Sequence, residues 1–413
     1  MSLNWLFLDL NSYFASVEQA ENPKLQGKPI AVVPMLADTT SCLAASYPAK
    51  AKGVKTGTSL RDARKLCPDI IFIPANHKKY VTYHHKILEV VDTCLPITQV
   101  LSIDEMSCEL IGREREEANA RKIAENIKKA IYERISPALT CSIGIAPNSY
   151  LAKVASDMQK PDGLTVVHKE QIPEIFFSLK PRDFPGIGAK MEIRLANARC
   201  LTVKKMYQLS IHEMREIWGG ITGERFWWLI RGENLDAQAS ERRTIGHSRV
   251  LAPQHRNYQD AWSISVQLLS KACMRLREEG FDCKELTFSM KFIANNPNEK
   301  YWKARAKFIE TKDTSFLIKE LEKLWKELLK SKSRNKILKV SITLHNLVSE
   351  QKKQLSLFED YKSNSLMKAL DTVNKKYKSS TVYIAGAQNK DEIGKAPSGK
   401  APIAFQHIPK LYE

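Results

Sequence analysis

The 413-residue chain contains no run of about 18 apolar residues, so no segment of it reads as a membrane-crossing helix. Its opening LNWLFLDL is too short for the apolar core of a secretory signal. The eight cysteines, Cys42, Cys67, Cys94, Cys108, Cys141, Cys200, Cys273 and Cys283, include no CxxC pair, which leaves neither a zinc knuckle nor a disulfide framework. Reduced thiols in a soluble, cytoplasmic protein are the expectation. Hydrophobic residues at 43% and charged residues at 27% exclude wholesale disorder, and the length allows two to four domains.

Negative charge is in short supply. Sixty-four Lys and Arg against 46 Asp and Glu leave +18, unevenly spread. Residues 1–240 hold 31 basic and 27 acidic side chains, whereas residues 241–349 hold 22 and 12. More than half of the excess therefore lies in about a quarter of the chain, a field that concentrates polyanions such as nucleic acid. A merely lysine-rich surface has the same composition.

The hydrophobic pattern organises the chain. Trp5 to Leu8 reads as a short strand leading to Asp9, followed by a helix from about Ser12 to Ala20. In QVLSIDEMSCEL, residues 99–110, apolar residues alternate on either side of Asp104 and Glu105, which reads as a hairpin with two acids at its tip. A charged amphipathic helix over about 114–134, a strand over about 139–145 and a helix over about 148–158 follow. This order suits a split βαβ sheet with a domain inserted after its first helix. Residues 241–349 repeat the order without the insertion. In their third strand Trp302, Ala304, Ala306 and Phe308 face one way and Lys303, Arg305 and Lys307 the other. Like charges on one strand face repel unless an anion lies across them, although a solvated edge that resists aggregation would look the same.

Asp9, Asp104 and Glu105 converge if the first strand lies beside the hairpin. Hard divalent ions such as Mg²⁺ take one or two carboxylates each and keep other positions for water and phosphates. Two such ions activate a hydroxyl and stabilise a leaving oxygen, the chemistry of a nucleotidyl transferase. An acidic turn that is merely solvated is the competing reading. Tyr47 and Lys50 in SYPAKAKGVKTG, and Lys160 in MQKPDG, are candidate triphosphate contacts. In FPGIGAK, Gly186 and Gly188 expose backbone amides before a helix, a geometry suited to phosphate but common in plain helix connections.

Together, DLNSYFASVEQ, SYPAKAKGV, SIDE, CSIGIAPNSYLAKVASDMQKPDG and FPGIG, in this order, resemble the Y-family translesion DNA polymerases of the bacterial DinB and UmuC type, over residues 1 to about 350. The resemblance implies an α+β, multidomain right-hand fold. Its palm, a split βαββαβ sheet, would take residues 1–11 and 79–167, and small fingers 12–78. A helix-hairpin-helix thumb would take 168–240, a βαββαβ little finger 241–349, and a clamp-binding motif with a partly flexible tail 350–413. It further implies catalytic carboxylates Asp9, Asp104 and Glu105 with the Leu10 carbonyl holding two Mg²⁺ ions, for which Mn²⁺ can substitute. The nucleotide would be bound by backbone amides from Asn11, Ser12, Tyr13 and Phe14 and by Tyr47, Lys50 and Lys160, with Phe14 as steric gate against ribonucleotides. Gly186, Gly188, Lys303, Arg305 and Lys307 would touch DNA.

Lys50 stands where many members have arginine, and Asn11 replaces a common aspartate that is not a metal ligand. QLSLF, with Gln354, Leu355, Leu357 and Phe358, resembles the motif that docks on the bacterial sliding clamp. The implied protein is a monomer that uses primer-template DNA and deoxynucleoside triphosphates and associates with the clamp. Two alternatives are a non-catalytic, clamp-associated adaptor and a metal-dependent nuclease or cyclase on a similar palm. The intact acids weigh against the first, and the thumb-like and little-finger segments against the second.

Overall fold

The computed structural model describes residues 3–38, 40–235, 243–294, 296, 299–331, 335–349 and 361–377. They fall into two compact units, one before and one after residues 236–242. All eight cysteines are free. Among the described residues no helix is long and apolar enough to cross a membrane.

The first unit is built on strand β1 (Trp5–Leu10) and helix α1 (Tyr13–Glu21). A small sheet of β2 (Ile30–Val33), β3 (Ala44–Ala45) and β4 (Ile71–Pro74) follows, with helices α2 (Tyr47–Ala51) and α3 (Leu60–Leu66). Helix α4 (His77–Asp92) returns the chain to the main sheet. There it forms β5 (Gln99–Val100), β6 (Glu105–Glu109), helix α5 (Glu117–Arg134), β7 (Cys141–Ala146), helix α6 (Ser149–Met158) and β8 (Leu164–Val166). The main sheet runs β5-β6-β1-β7-β8, so the first strand in sequence is its centre.

That central position explains why β1 is almost wholly buried, and why its two faces differ. Leu6, Leu8 and Leu10 join Met106, Cys108, Ile143 and Ile145 in a core covered by α1, α4 and α5. Phe7 packs instead with Ala146 and the α6 residues Leu151, Ala152 and Ala155. Asp9, two residues beyond Phe7, lies on this second face, opposite Glu105 on β6 and Ser142 on β7. Helix α6 can lie close because Gly144 has no side chain: a Cβ there would come within 2.0 Å of the Ala152 carbonyl oxygen. Asn148 caps α6 through its Oδ1, which accepts from the Leu151 N–H at 2.8 Å, and its Nδ2 donates to the carbonyls of Leu229 and Glu233.

Those two acceptors belong to a helical segment, α7 (Ala189–Asn197), α8 (Val203–Gln208), α9 (Ile211–Trp218) and α10 (Ile221–Ile230). Gly219 ends α9 at φ 85°, in the left-handed region that suits glycine.

The second unit contains β9 (Thr244–Val250), helix α11 (Tyr258–Glu278), β10 (Phe281–Ile293), β11 (Tyr301–Thr311), helix α12 (Thr314–Lys330), β12 (Lys336–His345) and β13 (Val348–Ser349). Its sheet order is β11-β10-β12-β9, and α11 and α12 cover the face carrying Leu286, Phe288, Met290, Ile342 and Leu344. A last helix, α13 (Tyr361–Tyr377), docks on this unit. The Arg277 guanidinium grips the Asp371 carboxylate with bonds of 2.7 and 2.9 Å.

Two sequence expectations change. The first strand runs through Leu10, so Asp9 is inside the ladder rather than beyond it, because neighbours on both sides keep the pairing going. Asp104 and Glu105 are not a two-residue tip. The turn spans 101–104, and Glu105 already pairs as the first residue of β6.

Gly144→Ala is expected to lower the urea midpoint of the first unit by a cost of about 3 kcal/mol or more, since backbone rather than a flexible side chain must move. Gly188→Ala, whose Cβ would meet nothing within 4 Å, is expected to cost less than about 1 kcal/mol.

Candidate active site

The β1–β6 register brings two of the expected acids side by side. Asp9 is Glu105's antiparallel partner, and the Leu10 N–H donates to the Asp104 carbonyl at 2.9 Å, which ties the turn to the end of β1. Ser102 shapes that turn: its hydroxyl donates to Asp104 Oδ1 at 2.5 Å and accepts from the Asp104 N–H at 3.2 Å. Beneath the turn, fully buried His84 on α4 bonds the Ile103 carbonyl at 2.8 Å through Nδ1. Burial lowers the His84 pKa, so this histidine is a neutral prop.

The three acids do not stand alone. The Lys153 ammonium, from α6, meets Asp9, Glu105 at 2.8 Å and Asp157 at 3.2 Å. The Lys160 ammonium meets Asp9 at 2.8 Å and Asp157 at 2.7 Å. Burial disfavours the Lys153 charge, but Asp9, Asp157 and Glu105 outweigh it and its pKa is raised. Burial likewise raises the Asp104 and Glu105 pKa values. The Asp9 charge adds to both, the Ser102 hydrogen bond opposes the shift at Asp104, and Lys153 opposes it at Glu105.

Phe14, on the first turn of α1, stacks on Tyr80 of α4 with ring centroids 4.6 Å apart. Tyr80 is held in turn by its hydroxyl's bond to Glu18 at 2.8 Å, and Lys79 pairs with the same carboxylate at 2.7 Å. Tyr13 is buried and donates its hydroxyl to the Tyr80 carbonyl at 2.6 Å. Ser12 caps this helix in a left-handed conformation, φ 49°, with a buried hydroxyl that has no hydrogen-bond partner among the described residues.

Asn11 is otherwise engaged. Its N–H donates to the Thr140 carbonyl, its Nδ2 to Ser142 Oγ, and its Oδ1 accepts from the Asp162 N–H. The expectation that the Asn11 amide faces a nucleotide is therefore corrected: it is a strut between β1 and the loop after α6. On α2, the Lys50 ammonium lies 4.5 Å from the Tyr47 ring centroid. Burial and the neighbouring Lys160 charge lower the Lys50 pKa, and Asp9 opposes them, which places both lysines within electrostatic reach of the acids.

The other expected residues lie elsewhere. Gly186, at φ 89°, and Gly188, the residue before α7, form a turn whose Pro185 carbonyl accepts from the Tyr150 hydroxyl at 2.9 Å. Lys303, Arg305 and Lys307 occupy the exposed face of β11, in the second unit, and Arg305 pairs with Glu285 at 3.4 Å. Gln354, Leu355, Leu357 and Phe358 lie outside the described residues.

Sequence reasoning missed Lys153, Asp157, Ser102, Tyr80, Glu18 and His84. Lys153, Asp157 and Lys160 are spaced four and three apart at the end of a helix, a signal that was available. Tyr80 and His84 carry no local signal, because α4 reaches the site only after the inserted sheet, and Glu18 on α1 gains its role only from Tyr80 and Lys79 of α4.

Among the described residues, no three His, Cys, Asp or Glu side chains close around an ion as they stand. The donor set nevertheless fits hard divalent cations: carboxylates alone, on β1, on β6 and in the turn before it, only partly balanced by the Lys153 and Lys160 ammonium groups. A split sheet with paired acids at its centre and a helix beside them is an arrangement suited to metal-assisted phosphoryl transfer.

The impB/mucB/samB family model matches residues 8–157, and the model of that family's C-terminal domain matches 242–357. The DNA polymerase IV of Moorella thermoacetica is 32% identical over 292 residues, which cover 69% of this chain and 72% of that one. That of Pelotomaculum thermopropionicum is 29% identical over 380 residues, covering 90% and 92%. A Y-family DNA polymerase chimera of Dbh and Dpo4 superposes with a TM-score of 0.69 at 22% identity, over 84% of this chain and all of that one. The chain belongs to the impB/mucB/samB family and is a Y-family, DinB-like, DNA-directed DNA polymerase.

Burial raises the Asp104 pKa, so its charge is expected to cost stability when no metal is bound. A carboxyl whose pKa is raised on folding binds its proton more readily when folded, so stability falls as pH rises from the unfolded pKa through the folded one. Asp104→Asn is therefore expected to melt higher than wild type at pH 7 in a metal chelator, by a few degrees, with the difference fading near pH 4. A lower melting temperature at pH 7 contradicts the charge assignment.

Proposed function

We propose that this translesion DNA polymerase performs its nucleotidyl transfer at the ends of β1 and β6. The observation that carries the proposal is the register of Asp9 opposite Glu105, with Asp104 tied to Leu10 and two lysines alongside. Asp9, Asp104, Glu105 and the Leu10 carbonyl would hold two divalent ions. Bound there, Mg²⁺ supplies Lewis-acid activation of a hydroxyl and charge neutralisation at a leaving oxygen.

The chain's own groups position the reactants. Tyr47, Lys50 and Lys160 present a hydroxyl and two ammonium groups to a triphosphate, with amides of the first turn of α1, from Ser12 to Phe14, as further donors. Phe14, its ring fixed on Tyr80, would fill the space of a ribose 2′-hydroxyl, and Tyr13 would pack beneath the sugar. Residues 1–11 and 79–167 would be the palm, 12–78 the fingers, 168–240 the thumb and 241–349 the little finger. The glycine turn at 186–188 and the Lys303, Arg305 and Lys307 face would hold DNA through its phosphates, and Gln354 to Phe358 would dock on the sliding clamp. Solved relatives include an insertion ternary complex of Dbh DNA polymerase.

Primer extension with Mg²⁺ and four deoxynucleotides is expected for wild type. Asp104→Ala should lose it by more than about a thousandfold while binding primed DNA within about twofold of wild type. Retained extension overturns the metal assignment. In the same assay, clamp should lengthen wild-type products but not those of a chain with Gln354, Leu357 and Phe358 changed to alanine. Phe14→Ala is expected to raise ribonucleotide incorporation by at least about tenfold relative to deoxynucleotide, and unchanged sugar discrimination removes Phe14 as the gate.

A further inference from the structure

Lys153 is not a surface lysine. Its side chain is 17% exposed, it crosses the Phe7 ring at 5.4 Å, and its ammonium contacts carboxylates from three elements: Asp9 on β1, Glu105 on β6 and Asp157 on its own helix. An ammonium has three N–H donors, and three acids meet it. No solvent partner is needed to satisfy it.

The position of that charge matters more than its bonding. It lies between Asp9 and Glu105, the two acids that the proposed function assigns to divalent ions, and the role of Lys153 rests on that assignment. Asp9, Asp104, Glu105 and Asp157 carry four formal negative charges, and Lys153 and Lys160 two positive ones, so the group is left at −2. A single divalent cation balances it. Yet a cation taking up Asp9 and Glu105 would stand beside the Lys153 ammonium, and like charges at that separation in a half-buried site repel strongly. One must yield.

We propose that Lys153 is a resident counter-ion that divalent metal displaces: without metal it clasps Asp9 and Glu105 together, and on metal entry it gives them up and keeps Asp157. Asp157 suits this second role because it is one helical turn away on the same helix and needs no movement of either strand. Lys160 meets the same Asp157 oxygen, so the retained partner is itself held in place. The lysine then sets the strength of metal binding, since every ion that enters must first replace it. Lys153 is in this sense a positioning residue, acting on the site through the carboxylates.

The test is equilibrium Mn²⁺ binding to the full chain without DNA or nucleotide, read from the electron paramagnetic resonance of free Mn²⁺. Asp9→Asn serves as the control for the metal reading: if wild type binds no Mn²⁺, or Asp9→Asn binds it equally well, that reading fails whatever Lys153 does. With the control met, Lys153→Met and Lys153→Gln are each expected to bind Mn²⁺ about tenfold more tightly than wild type. Unchanged or weaker binding in variants that fold overturns the proposal. Should neither variant fold, reductive methylation of the wild-type chain, mapped by mass spectrometry, decides. Mn²⁺ is expected to increase labelling of Lys153 at least about twofold and to leave Lys128, which pairs with Asp162, unchanged. No increase at Lys153 overturns it.

Discussion

The antiparallel pairing of Trp5–Leu10 with Glu105–Glu109 is the constraint on which the rest depends. Side chains alternate along a strand, so a slip of one residue would turn Asp9 into the apolar core and Leu8 or Leu10 onto the chemical face. The leucines on one face and the acid on the other therefore fix each other. Hydrophobic burial sets the register, and the register sets the chemistry.

Carboxylates held together in a half-buried site repel one another and resist losing water, and the structure answers with cations rather than with distance. Lys153 lies in the middle of α6 and Lys160 in the loop beyond it, and α6 can deliver them only because Gly144 lets it approach β7. A glycine with no chemistry of its own thus determines where two ammonium groups lie. The second anchor is aromatic. Phe14 rests on Tyr80, and Tyr80 on Glu18 and Lys79, so a ring that would touch a sugar is backed by groups from both α1 and α4. The elements on either side of the inserted sheet meet at this stack.

Much of this was legible in the residues. Period-two alternation over about 285–293, 300–309 and 338–344 and amphipathic patterning over about 260–279 and 315–330 made the second sheet and its helices readable, because each element has one face in a single core. Asp9, Asp104 and Glu105 were visible as acids next to apolar strands. The turn geometry at 101–104 was less so, since it depends on Ser102 folding back on Asp104 and on the Leu10 amide reaching Asp104 across the sheet. Asn11 misled for a related reason. The resemblance implied that its backbone amide contacts the nucleotide, and only the tertiary structure shows that N–H donating to the Thr140 carbonyl and the side chain bonded to Ser142 and Asp162. Partners brought together by the insertion, such as Tyr80 and His84, have no trace in local sequence at all.

The central claim is that divalent metal sits where β1 and β6 present their acids. The most direct measurement replaces Mg²⁺ with Fe²⁺ and generates hydroxyl radicals at the bound ion with ascorbate and peroxide, so that the backbone is cut next to the metal. The account predicts cuts confined to the neighbourhoods of Asp9 and of Asp104–Glu105, suppressed by excess Mg²⁺. Cuts elsewhere in the chain, or cuts at these positions that Mg²⁺ does not suppress, would contradict it.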